Sequence, residues 1–256
     1  MPESDLDLLI SAAQGAGEIA LSYWKSDPEV WDKGTEGPVS AADYAVDHHL
    51  KDFLLAARPS YGWLSEETED TADRRAGEAL FVCDPIDGTR SFLNGQDIWA
   101  HSLAIVRDGT PQAAVIYLPA KKRLFAAALG GGATRDGTPI RAAEYASVPP
   151  SVLMNKSMLS HAQWRRKPSD YQRAFRPSLA YRLALVADGS FDGMITLWPT
   201  WEWDVAAGVL IAGEAGATVT DRFGKHVSFD TETARIDGLI VGTPDLHRDV
   251  HSRLKD

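Results

Sequence analysis

The run Leu80-Phe81-Val82-Cys83 is uncharged, apolar and as long as a strand buried on both faces, and it stops abruptly at Asp84-Pro85-Ile86-Asp87. Carboxylates at the end of a buried strand need something cationic to compensate them. Two like charges about 4 Å apart repel by roughly 4 kcal/mol at an effective dielectric near 20. Other acids also stand where solubility does not explain them: Glu66-Glu67 follow the apolar Trp63-Leu64, and Asp204 comes directly after Trp198, Trp201 and Trp203. Divalent cations would remove the repulsion. Hard oxygen donors without a His/Cys constellation point to Mg²⁺ rather than Zn²⁺. The single cysteine, Cys83, leaves a thiolate zinc site short of ligands and excludes an internal disulfide.

The rest of the chain divides in character. Leu6, Leu9, Ile10, Ala13, Ala20 and Trp24 share one face of a first helix with Ser4 as N-cap. Asp27-Pro28 and Lys33-Gly34 mark a loop, and a second helix begins at Ser40, runs through Val46, Leu50, Phe53 and Leu54, and ends before Pro59. Strand patterns at Ser102–Val106, Ala113–Leu118 and Leu124–Ala128, separated by Asp108-Gly109 and Pro119, predict an antiparallel meander. Gly130-Gly131-Gly132 and Asp136-Gly137 read as turns, since no helix pattern follows them as a nucleotide loop would require. Beyond them, helices and strands alternate: helix Ser178–Val186 ending at Gly189, strand Phe191–Leu197, helix Asp204–Ala215 stopped by Gly216, strands Ala217–Thr220 and Gly238–Val241, helix Asp245–Leu254. One unit of two sheet-containing layers packed with helices is expected. Its α+β half with the meander covers about residues 1–145 and its α/β half about 146–256, with the changeover near 140–150.

With 26 Lys+Arg against 36 Asp+Glu the formal charge is −10, which argues against a nucleic-acid polymer as partner. It leaves a small anionic substrate open, because a bound cation reverses the sign of a site locally. No apolar run approaches the roughly 18 residues of a membrane helix. Glu3, Asp5 and Asp7 stand where a signal peptide would carry positive charge, so the sequence reads as cytoplasmic with no membrane partner.

Gly88-Thr89 follows the Asp84/Asp87 corner and opens a short helical stretch through Arg90, Ser91 and Phe92. Free N–H groups at a helix start favour phosphate. Metal-binding carboxylates beside a phosphate cradle suit a metal-assisted phosphoryl hydrolase. Three segments in order, Glu66-Glu67-Thr68, Asp84 to Thr89, and Trp203-Asp204-Val205-Ala206-Ala207-Gly208, resemble the inositol monophosphatase superfamily. The flanking pattern extends the resemblance to nearly the whole chain.

That resemblance implies a layered α-β-α-β-α sandwich, a homodimer, and hydrolysis of small phosphorylated metabolites with two or three Mg²⁺ per site, inhibited by Li⁺. Carried over by position, it implies that Glu66, Asp84 and the Ile86 carbonyl hold one metal, and that Asp84 bridges to another shared with Asp87 and Asp204. Thr89, Asp43 and Glu66 would be catalytic, with Thr89 and Asp43 orienting the attacking water. Asp87, Gly88, Thr89, Arg90 and Asp204 would contact substrate.

Plainer readings stand beside these. Asp43 has capping-box spacing from Ser40, and both roles can coexist. Asp204 suits a helix N-cap; Glu67 suits a supporting or solvated carboxylate; Cys83 suits the core. His48-His49 would divide between surface and core edge, and the tryptophans read as core or as a substrate platform.

The resemblance also bears on substrate. Inositol monophosphatases typically carry Thr-Asn after the Gly-Thr pair and a glutamate seven positions before the last metal aspartate. This chain has Arg90-Ser91 and Leu197 there. Arg90 with Phe92-Leu93 and Gly95, Leu64-Ser65-Glu66-Glu67, and Pro199-Thr200 resemble the 3′(2′),5′-bisphosphate nucleotidases. Arg90 could pair with a second phosphate or stand solvated on a helix face. The expected substrate is 3′-phosphoadenosine 5′-phosphate, cleaved to AMP. Inositol 1-phosphate, another sugar phosphate and fructose 1,6-bisphosphate stay open, and a silent relative that binds a nucleotide or partner protein is the rival class.

Overall fold

A computed structural model describes residues 3–34 and 37–255. Helix α1 (Asp5–Tyr23) starts under the Ser4 hydroxyl, which accepts from the Asp7 amide at 3.1 Å. A short antiparallel pair, β1 (Val30–Asp32) and β2 (Pro38–Ser40), leads into α2 (Ala41–Ala57), whose N-terminus is a complete capping box between Ser40 and Asp43. Phe53, read as part of the apolar face of α2, is instead exposed and stacks on His49.

The larger sheet holds β3 (Gly62–Ser65), β4 (Leu80–Asp87), β5 (Ala100–Arg107), β6 (Thr110–Leu118), β7 (Arg123–Ala128), β8 (Ala133–Arg135) and β9 (Thr138–Ile140) in sequential order, with α3 (Thr89–Leu93) between β4 and β5. Only β3 and β4 are parallel; the rest is the antiparallel meander, with Asp108-Gly109 as a two-residue hairpin turn. The second sheet holds β10 (Ser151–Leu153), β11 (Gln172–Ala174), β12 (Gly193–Thr196), β14 (Thr218–Thr220) and β16 (Leu239–Gly242), and α4 (Leu179–Ala187) precedes β12. The strand expected over Phe191–Leu197 is thus shorter. A side pair, β13 (Thr200–Trp201) with β15 (Arg235–Ile236), sets the start of α5 (Glu202–Glu214), and α6 (Pro244–Arg253) closes the chain.

Alternation along the strands assigns the layers. On β4, Phe81 and Cys83 pack toward α1 and α2, whereas Leu80 and Val82 face α4 and α5. Helix α5 is apolar nearly all round, as a helix caught between two sheets must be. Gly208 lets it approach α4, for a Cβ there would lie 2.3 Å from Leu183 Cδ1. On the far side of the second sheet, Leu246, Val250 and Leu254 from α6 and the residue after it cover Val152, Ile195 and Ile240. The result is the α-β-α-β-α sandwich. Among the described residues no helix is long and apolar enough to cross a membrane.

The end of β4 departs from the sequence reading. The strand does not stop at Asp84-Pro85 but continues to Asp87 through an irregularity, in which Asp84 pairs with Ser102 and Asp87 with Ala100. Three steps on β4 oppose two on β5, so one residue is extra. In a regular strand, positions three apart face opposite sides. The bulge turns both carboxylates inward, toward α5. His101, fully buried and held neutral because burial pushes its pKa down to about 4, donates from Nδ1 to the Pro85 carbonyl and pins the bulge.

Candidate metal centre and substrate cavity

The acidic residues converge at the C-terminal ends of β3 and β4. Register places Ser65 beside Cys83, and the next residue along, Glu66, donates its amide to the Cys83 carbonyl at 3.3 Å and neighbours Asp84. Asp204 enters from the first turn of α5. Carboxylate oxygens of Asp84, Asp87 and Asp204 lie within 4.8 Å of one another. Asp87 spends one oxygen elsewhere: its Oδ2 accepts from the Ser178 hydroxyl at 2.7 Å and the Ala180 amide at 2.6 Å, at the start of α4. Its other oxygen is left for the cluster.

The charges are under strain. Burial, then neighbouring acids, pushes the Asp84 and Asp204 carboxyls well above the usual range. Asp87 and Glu66 are raised for the same first reason, with Ser178 and the α4 amides opposing for Asp87 and Lys33 opposing for Glu66. Glu67 reaches about 7, through burial and the Glu66 charge, although its carboxylate is paired to Lys33 at 2.9 Å. Lys33 also reaches Glu66 at 3.4 Å; burial works against its charge, but the two glutamates outweigh it and hold its pKa high.

Asp84 Oδ1 is buried without a hydrogen-bond partner. An orphaned carboxylate oxygen among converging acids is costly unless a cation takes it. The donors are all carboxylate oxygens, which suits a hard divalent ion, so the residues present fit a metal.

Behind the cluster, the Thr89 hydroxyl donates to Asp43 Oδ1 at 3.1 Å, with the Ile86 carbonyl also at 3.2 Å. Asp43 Oδ2 accepts from the Ser40 amide at 2.8 Å and its hydroxyl at 2.6 Å. Burial raises the Asp43 pKa against these bonds. Glu66, Asp84, Ile86, Asp87, Gly88, Thr89, Arg90 and Asp204 all line one cavity of about 600 Å³, with Arg90 exposed. Asp43 stands outside the lining and touches the site through Thr89.

A family model described as the inositol monophosphatase family matches residues 1–254. The chain belongs to that family. It is 33% identical to an inositol-1-monophosphatase of Rhizobium meliloti over 86% of each chain, and 30% identical to a histidinol-phosphatase of Mycobacterium tuberculosis over 99% of each. The crystal structure of the suhB extragenic suppressor protein from Bartonella henselae superposes with a TM-score of 0.84 at 28% identity, covering 98% of both chains. As a member of the inositol monophosphatase family, the protein is a metal-dependent phosphatase acting on small phosphorylated compounds.

Two further site residues, Asp47 and Arg182, lie outside the sequence motifs. Asp47, one helical turn after Asp43, is buried and accepts from the hydroxyls of Ser65 and Thr68, clamping both ends of the turn that carries Glu66 and Glu67. A polar stripe at 43 and 47 inside an otherwise apolar helix face was the available hint. Arg182, in the middle of the apolar α4, is 5% exposed and lines the cavity. Burial lowers its pKa to about 10, while Asp87 and Asp204 resist, so it stays charged at neutral pH. Of the three tryptophans, Trp201 and Trp203 stack at 4.6 Å and line the cavity, whereas Trp198 is exposed against His161. Cys83 is a buried thiol; His48 is exposed, and His49 sits at the core edge.

Proposed function

We propose that the protein is a Mg²⁺-dependent phosphomonoesterase whose favoured substrate is 3′-phosphoadenosine 5′-phosphate. Water would attack the 3′-phosphorus, the P–O3′ bond would break, and AMP and phosphate would leave once O3′ takes a proton. The observation that carries the phosphatase reading is the orphaned Asp84 oxygen in the Asp84/Asp87/Asp204 cluster, in a cavity that Glu66 and Thr89 also line.

Glu66, Asp84 and the Ile86 carbonyl would hold one Mg²⁺, and Asp84, Asp87 and Asp204 a second; two or three ions per site is what the family resemblance implies. When bound, these ions supply an activated water at neutral pH and offset charge on the leaving oxygen. The chain's own residues do the aiming. Thr89 donates a hydrogen bond to Asp43, which leaves its oxygen lone pairs free to accept from the attacking water and fix its line of approach. Amides of Gly88 and Thr89 would meet the phosphate oxygens, and Asp87 and Asp204 the substrate's ester side. Glu66, which lines the cavity, would take the water's proton on the carboxylate oxygen not used for the ion and pass it to O3′ as the P–O3′ bond breaks.

The nucleotide preference draws on two features. Leu197 is fully buried, so no acid from that position meets a polyol hydroxyl. The exposed Arg90 at the cavity rim offers a planar fork to a second phosphate. Li⁺ inhibition and a homodimer follow from the same family reading.

Phosphate release should be measured with Mg²⁺ on 3′-phosphoadenosine 5′-phosphate, inositol 1-phosphate, fructose 1,6-bisphosphate and histidinol phosphate. The highest kcat/KM is expected for the nucleotide. A higher value for inositol 1-phosphate overturns the nucleotide preference, and no turnover of any ester overturns the phosphatase reading.

A further inference from the structure

Helix α6 carries two histidines four positions apart, His247 and His251, a spacing that places side chains one above the other on a single helix face. Their rings lie 4.6 Å apart, and Nε2 of each meets the same atom, the Thr220 hydroxyl oxygen, at 2.9 and 3.2 Å. Thr220 ends β14, the edge strand of the second sheet, and its hydroxyl also reaches the Asp221 carbonyl at 2.9 Å. Asp221 shapes the turn that follows. Its Oδ1 accepts from the Phe223 and Lys225 amides, both at 2.8 Å, and a Cβ on Gly224 would lie 3.5 Å from Cε1 of the His251 ring. Both histidines are half-buried.

A threonine hydroxyl has one proton and can donate it only once. With that proton on the Asp221 carbonyl, both imidazoles donate from Nε2 into one oxygen, which fixes two ring edges on one point. Once the ring protons move to Nδ1, the same aim presents two nitrogen lone pairs to a single ion. Two imidazole nitrogens with a hydroxyl oxygen between them suit Zn²⁺, Ni²⁺ or Cu²⁺ and hold little for Mg²⁺, which takes oxygen donors. The Asp221 carboxylate is close enough for its charge to act on His251, and it supplies negative charge beside the pair. The donor set is thus the chemical opposite of the all-carboxylate cluster at Asp84, Asp87 and Asp204.

We propose that His247, His251 and Thr220 form a second metal site, selective for Zn²⁺ and its late first-row neighbours, in which the ion ties α6 to the edge of the second sheet. Water completes the coordination, for both rings are open to solvent on one side. Thr220 and His247 are 27 residues apart, so this arrangement exists only in the folded chain, and the ion stabilises α6 where it covers Val152, Ile195 and Ile240. The site is independent of the phosphatase reading.

The test is a calorimetric titration of the full chain with Zn²⁺ in the presence of saturating Mg²⁺, repeated on Asp84→Asn to remove the acidic cluster as a competing site. One Zn²⁺ should bind both proteins with the same micromolar affinity and raise Tm by roughly 5–10 °C at a hundred times Kd. His247→Gln and His251→Gln should each weaken that binding at least about tenfold, because the ion loses one of two nitrogen donors. Cu²⁺ as a probe should give an electron paramagnetic resonance spectrum split by two nitrogens in Asp84→Asn, and by one when either histidine is also replaced. The proposal is overturned if Asp84→Asn binds no Zn²⁺, if neither glutamine substitution weakens the binding, or if the copper spectrum shows no nitrogen. Should a glutamine variant fail to fold, the Zn²⁺ titration and copper spectrum of Asp84→Asn decide.

Discussion

Thr89 donates its hydroxyl to Oδ1 of Asp43 at 3.1 Å, while Oδ2 of the same carboxylate closes the capping box on Ser40. One side chain therefore starts α2 and braces the group that would orient water. The two duties separate by mutation. Thr89→Ala should lower kcat about 10²- to 10⁴-fold with an unchanged thermal transition. Asp43→Ala should lose comparable activity and, in addition, about 1 kcal/mol or more of stability as the cap goes. Steady-state kinetics and a denaturant titration of the two variants check both parts. Equal stability losses would mean that the cap is not what Asp43 adds.

Cation binding should be visible without any turnover. Relieving repulsion among Asp84, Asp87 and Asp204 makes Mg²⁺ a stabiliser: at a hundred times Kd a ligand adds about 2.7 kcal/mol, or roughly 5–10 °C in a chain of this size. Asp84→Asn should remove most of that Tm rise. Chelation should abolish activity, and Mg²⁺ should restore it. Full turnover after exhaustive chelation would refute the metal-dependent mechanism.

Asp47 should matter although it is not among the residues lining the acidic cavity. Its two bonds, from Ser65 and from Thr68 at 2.6 Å, hold the turn that presents Glu66. Asp47→Ala should cost about 3 kcal/mol, since both bonds are to a buried carboxylate. It should also raise the Mg²⁺ concentration for half-maximal activity more than it changes kcat at saturating Mg²⁺. A metal titration with tryptophan fluorescence and activity as parallel readouts distinguishes this from simple destabilisation.

Stability should depend on pH through His247 and His251, whose rings lie 4.6 Å apart on α6 and share the Thr220 hydroxyl at 2.9 and 3.2 Å. Burial, then the neighbouring ring, lowers His247 to about 4, and burial lowers His251 against the pull of Asp221. A depressed histidine pKa means the unfolded chain takes up a proton first. The contribution is thus complete above about pH 6.5 and is lost as pH falls toward 4. With the pair partly solvent-screened, the loss for His247 should be on the order of 1 kcal/mol. Urea midpoints at pH 7 and 5 should differ less for His247→Gln than for the wild type.

Much of this molecule is written in local pattern. Both long helices, the meander and its Asp108-Gly109 turn, the Ser40–Asp43 cap and the acids themselves are set by residues a few positions apart, and a periodicity of two or 3.6 registers them directly. The short strands β10, β11, β13 and β15 escape the sequence pattern, because two or three residues carry too little alternation to define a face.

The site belongs to the other category. Whether Asp84 and Asp87 face the same way depends on a one-residue mismatch against β5, which no property of the β4 sequence alone specifies. Arg182 resembles any surface arginine until α4 is packed between two sheets, and Asp47 resembles a solvated acid until the Ser65–Thr68 turn lies over it. The sequence by itself determined which chemical groups exist and which local elements carry them. Only the tertiary structure decided which of those groups are desolvated and face one another, because strand register and helix packing, not spacing along the chain, control where distant side chains meet.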